Sequence, residues 1–101
     1  MPARRRHPLV KADLREAYDW LEDEEPGLGD RFKADFLATY RQLCAGPRHF
    51  SVRFAGIHRI NLARFHYGIF YVIEGAEIRV LAVLHAARRH RRLLAGRRRT
   101  F

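Results

Sequence analysis

The sequence predicts an α+β fold: an N-terminal helical hairpin packed on one face of a small twisted antiparallel sheet. Three observations lead there. Up to Pro47 the apolar residues recur at helical spacing; beyond it the period falls from about 3.6 to about 2; and Glu74-Gly75-Ala76-Glu77 separates two runs rich in β-branched and aromatic residues. With 101 residues and 48% apolar content the chain can bury one core. No repeat or flexible linker divides it, so residues 1–101 read as a single domain with a basic C-terminal tail from about residue 88.

The first helix begins at Val10 and presents Val10, Leu14, Ala17, Tyr18 and Leu21 along one side. Pro26 disfavours helical geometry in the residue before it, so Glu24-Glu25-Pro26-Gly27 ends this helix. Asp30 then either caps the second helix or, with Gly29, lies in its first turn. That helix presents Phe32, Phe36, Tyr40, Leu43 and Cys44 and stops at Gly46-Pro47. Trp20 is expected to pack at the helix–sheet boundary, and Cys44 to act as a small buried apolar residue.

Ile60 and Leu62 alternate with Arg59, Asn61 and Ala63, as in a half-buried strand. Ile69–Ile73 forms the next strand, and Gly75 suits the positive φ of a two-residue hairpin turn leading into Ile78–His85. Residues 3–7 offer an additional short edge strand. A turn at Gly75-Ala76 pairs Tyr71 with Val80 and Ile69 with Ala82, and a turn at His66-Tyr67 pairs Leu62 with Tyr71. One face then gathers Ile60, Leu62, Ile69, Tyr71, Ile73, Ile78, Val80, Ala82 and Leu84 as the core. The opposite face, with Arg59, Asn61, Phe70, Val72, Arg79, Leu81, Val83 and His85, is only partly polar and is expected to meet something, such as another chain.

Charge is segregated. Residues 1–11 carry +4, residues 12–35 carry −6, and residues 36–101 carry +11, for a net charge of +9. An acidic helical face and a strongly basic surface suit nucleic acid, an acidic protein, or both. No apolar run is long enough to span a membrane, and no apolar stretch follows the basic start, so a cytoplasmic protein is expected. One cysteine, Cys44, precludes an internal disulfide. No zinc-type cluster, phosphate-cradling glycine loop or nucleophile elbow is visible, and no metal or cofactor is expected.

Several strings resemble the RelE/ParE family of type II toxins. His7-Pro8-Leu9-Val10-Lys11-Ala12-Asp13-Leu14, Trp20, Gly27-Leu28-Gly29-Asp30-Arg31-Phe32 and Pro47 are similar to the family's first half. Arg64-Phe65-His66-Tyr67-Gly68-Ile69-Phe70-Tyr71 resembles its Arg-Phe-Pro-Tyr-Arg-Ile-x-Tyr strand pair, and Val80 to Arg89 resembles its last strand and basic exit. The resemblance runs from about residue 7 to residue 92 and is closer to ParE-like than to RelE-like members. It implies a toxin of a plasmid-stabilisation or related growth-arrest system, held in a hetero-oligomer by a small acidic antitoxin. Two targets occur in the family: ParE-like members poison DNA gyrase, and RelE-like members cut mRNA on the ribosome.

Departures from the family pattern favour the non-enzymatic, gyrase-directed reading. Gly68 stands where RelE-like nucleases place a functional arginine, and Leu93 or Leu94 stands where they carry an aromatic or basic group. A metal-independent endoribonuclease remains the alternative, with Arg59, Arg64, His66, His85 and Arg88 as its catalytic set. Imidazoles that titrate near neutrality could serve as acid and base while guanidinium groups hold phosphate oxygens. Against this, His66 can be a turn residue in place of the family's proline, and His85 a strand end. A third alternative is an inactive member that only binds antitoxin. Target- or antitoxin-binding residues are expected among Arg59, Arg64, Arg79, His85, Arg88, Arg89, Arg91 and Arg92, because guanidinium forks pair with both phosphates and carboxylates. Arg97–Arg99 are read as either part of this surface or a solvated, partly disordered tail.

Overall fold

The computed structural model describes residues 3–87 and 90–101. The chain runs β1 (Ala3–Arg6), α1 (Val10–Glu24), α2 (Leu28–Ala45), a 3-10 turn at Pro47–His49, β2 (Val52–Phe54), β3 (Ile57–Asn61), β4 (Tyr67–Glu74), β5 (Glu77–His85) and α3 (Arg91–Arg99). Its five strands lie in the order β1-β5-β4-β3-β2. All neighbours are antiparallel except β1, which runs parallel to β5 at the edge. The expected helical hairpin and meander are present. Two elements that were not expected, β2 and α3, extend them.

The hairpin packs as its periodicity dictates. Val10, Ala17, Phe32, Phe36 and Leu43 are buried against Ile60, Ile69, Tyr71, Ile78 and Val80 of the sheet. Asp30 sits in the first turn of α2, and Gly27 occupies the cap position. The cap is completed from α1, where the Glu22 carboxylate accepts the N–H groups of Gly27 and Gly29, each at 3.0 Å. Trp20 departs from expectation: it is 62% exposed rather than packed at the helix–sheet boundary. Cys44 is half-buried.

In the sheet, Gly75 takes φ 61° and Tyr71 pairs with Val80, as the hairpin signal requires. A bulge then intervenes, so Phe70 pairs with Ala82 and Ile69 with Val83 instead of Ala82. The extra residue turns Val83 into the hairpin-facing core and sends Ala82 and Leu84 to the other face. The link from β3 to β4 is a loop spanning 62–66, not a two-residue turn, and Tyr71 pairs with His58 instead of Leu62. That slip is of even length, so each β3 side chain keeps its face.

The second face is not left for another chain. Leu94 of α3 is 1% exposed and packs there with Ile57, Phe70, Val72, Leu81 and Ala82. The supposed tail is therefore a helix, and two of its arginines have fixed partners. Arg98 donates to the Ala55 carbonyl and reaches Glu74 Oε1 at 3.4 Å. Arg97 forms a two-pronged pair with Asp13 of α1, at 2.5 and 2.9 Å. This pair closes the β5 edge beyond the reach of β1. Asp13 accepts the Val83 N–H at 3.0 Å, and Arg97 donates to the Leu81 carbonyl at 3.2 Å.

His7 ties the two chain ends together. Its Nδ1 accepts the Leu9 N–H at 3.1 Å, so the proton resides on Nε2, which donates to Thr100 Oγ1 at 3.0 Å. Burial, reinforced by the Arg97 charge and opposed by Asp13, lowers the His7 pKa. An unfolded chain takes up a proton near pH 6.5 that folded His7 refuses, so this contribution to stability is present above pH 6.5 and is lost as pH falls below it. Urea unfolding at stepped pH is expected to show that decline. In His7→Gln the slope below pH 6.5 should be shallower; an unchanged slope would assign it to other groups.

Candidate functional site

The basic residues singled out in the sequence separate into three places. At one end of the sheet Tyr67 pairs with His85, and the His66 ring lies 6.2 Å from the His85 ring, centroid to centroid. Arg64 is on the adjacent loop, which is anchored because the Arg64 N–H donates to buried Asp35 at 2.9 Å. The His85 Nδ1 is engaged by the Ala87 N–H at 3.3 Å, and the His85 carbonyl accepts from His90 Nε2 at 3.1 Å. Arg88 and Arg89 lie outside the described residues.

Arg79 does not belong to that end. It pairs with Val72 across the sheet, lies 5.5 Å from the Phe101 ring and contacts Glu77 at 3.5 Å. Its role is to seat the C-terminal residue against β1 and β5.

The third place is a cleft between β2, β3, β4 and the start of α3, about 410 Å³ in volume. Arg53, Arg59 and Arg91 surround it, with Phe54, Phe70 and Leu94 as apolar walls. Arg91 lies over the Phe54 ring at 4.9 Å, and Arg59 over Phe70 at 6.0 Å. Arg59 Nη1 donates to the Ala86 carbonyl at 3.3 Å, while its Nε is buried without a hydrogen-bond partner. Burial, then the Arg53 charge, lower the Arg59 pKa. Arg92, also singled out, is exposed on α3.

Gly68 explains how Arg59 reaches its position. A Cβ on Gly68 would stand 3.0 Å from Arg59 Cδ and 3.2 Å from Asn61 Oδ1. The stem of Arg59 therefore fills the space a side chain at 68 would take.

Arg53, Phe54 and His90 were not singled out in the sequence. The first two come with β2, whose signal is short: Val52 and Phe54 alternate, and Ala55-Gly56 follow with φ 49° and 76°, the geometry of a tight hairpin.

The ParE toxin model of type II parDE toxin–antitoxin systems matches residues 5–90, and the chain belongs to that family. A solved structure of the chromosomal ParDE system from P. aeruginosa has the same fold, with TM-score 0.74 and 18% identity over 84% of this chain and 96% of that one. No curated protein matches at a significant level. Among the described residues no helix is long and apolar enough to cross a membrane.

Proposed function

We propose that this ParE-family toxin acts in the cytoplasm, is silenced by a small acidic antitoxin, and arrests growth by inhibiting DNA gyrase without cutting RNA. Family membership over residues 5–90 supports the toxin and its antitoxin. The observation that favours gyrase over mRNA is Gly68. The position where nuclease relatives carry a functional arginine has no side chain here, and the Arg59 stem fills the space. A net charge of +9 suits an acidic antitoxin, which guanidinium forks bind through its carboxylates.

Timed induction of the toxin alone, following DNA and protein synthesis together, tests the target. DNA synthesis is expected to fail first, and the purified protein is expected to inhibit gyrase supercoiling. If protein synthesis fails first, the ribonuclease reading replaces this one. The closeness of His66 and His85 is what that reading would use, and His85→Ala would then abolish RNA cleavage while antitoxin binding persists. If neither synthesis falls, the chain is an inactive member that only binds antitoxin.

A further inference from the structure

We infer that the cleft between β2, β3, β4 and α3 is a binding site for one nucleotide unit of a single-stranded nucleic acid, with the phosphate held by Arg53, Arg59 and Arg91. The inference stands on the cleft itself and does not depend on which target the toxin has.

Three arginines converge on a space of about 410 Å³, and among the described residues no carboxylate lines it or pairs with any of the three. Some arginines elsewhere have acidic partners, as Arg97 has Asp13 and Arg98 has Glu74, and others are single exposed charges; in the cleft three share one space. Keeping like charges together without a counter-charge is unfavourable, and an incoming anion removes that cost. The buried Nε of Arg59, which has no acceptor, reports the same deficit.

Two of the guanidinium groups are already placed over aromatic rings, Arg91 over Phe54 and Arg59 over Phe70. That arrangement restrains the planar groups and leaves N–H edges for tetrahedral oxyanions. Of the remaining lining, Phe54, Phe70 and Leu94 are apolar and His90 is the one other polar side chain. An anionic phosphate next to a flat, largely apolar base matches this combination of walls. A simple acidic peptide would use the arginines and leave the apolar walls unfilled.

The test is fluorescence anisotropy of the full chain with a labelled single-stranded decanucleotide at low salt. Arg53→Gln, Arg59→Gln and Arg91→Gln are each expected to weaken binding about five- to tenfold. Each should also reduce the slope of log affinity against log salt by about 0.7. Arg15→Gln and Arg31→Gln remove the same charge from the exposed helical face and are expected to change affinity less than about twofold. Arg53 is exposed on the short β2 strand, so its variant keeps the test valid if Arg59→Gln fails to fold. Adenosine 5′-monophosphate should compete better than inorganic phosphate, because only the former fills the apolar part.

Absence of binding, or equal losses in the control variants, would overturn the site. So would competition by a polyglutamate peptide as effective as that by the unlabelled strand, since the cleft would then read charge alone.

Discussion

Arg97→Ala is expected to destabilise the protein by about 3–5 kcal/mol, because it leaves the Asp13 carboxylate buried and without its countercharge. The Asp13 side chain is 7% exposed and that of Arg97 11%, so solvent screens their pair little. Its worth is larger than one ion pair suggests. The same carboxylate accepts the Val83 N–H, and the same guanidinium donates to the Leu81 carbonyl. Together they replace the hydrogen bonds that a neighbouring strand would make along the β5 edge. Removing Arg97 therefore exposes a carbonyl, strands a charge and loosens α3 at once. Asp13→Asn should cost less, since an amide oxygen still accepts from Val83 and no bare charge is left. Urea unfolding of both single variants and the double variant supplies the coupling, expected at about 1–3 kcal/mol. A loss below about 1 kcal/mol in Arg97→Ala would class the contact with exposed ion pairs.

The helical hairpin was legible because its apolar positions obey one period and its ends carry Pro26 and Pro47. The turn at Gly75 was legible for the same local reason. The bulge was not. Val80-Leu81-Ala82-Val83-Leu84 is apolar at every position, so the alternation that would register a strand carries no information there. Helix α3 was obscured by its arginines, although Leu94 is the residue that covers the second sheet face. The pairing of Arg97 with Asp13 joins residues 84 positions apart, and local pattern does not report such a contact.

The candidate site divides similarly. His66 and His85 belong to the set expected for a ribonuclease; Tyr67 is the residue that pairs with His85, and the two imidazole rings lie 6.2 Å apart at that sheet end. Arg79 was expected on the second sheet face among the target- or antitoxin-binding residues; its place on β5 puts it beside Phe101. Arg59 was singled out, but Arg53 was not, because its three-residue strand is too short to show a period. Gly68 was noticed as a missing charge. Its steric consequence, the seat for the Arg59 stem, required coordinates.

Tyr71→Ala is expected to cost about 3–5 kcal/mol, the range for deleting a buried aromatic ring. Tyr71 is fully buried, its ring stacks 5.0 Å from that of His58, and its hydroxyl donates to the Pro47 carbonyl at 2.5 Å. It thereby joins the centre of β4 to the turn that follows α2. Tyr71→Phe keeps the packing and removes the hydrogen bond, for a loss of about 1 kcal/mol near neutral pH. The two variants part further in alkali. Burial pushes the Tyr71 pKa up to about 12 from 10.0. Between those values the unfolded chain releases a proton that the folded protein retains, so stability is fully present below pH 10 and falls as pH rises towards 12. The loss across that window is roughly 2–3 kcal/mol. Tyr71→Phe has no such proton to lose, and the other tyrosines are shared by both proteins and cancel in the comparison. The stability curves of the wild type and the phenylalanine variant should therefore converge and cross in alkali, as measured by urea unfolding at stepped pH. Parallel curves would mean that the phenol reaches solvent before the protein unfolds, and the contact with Pro47 would then be a weak tie between the hairpin and the sheet.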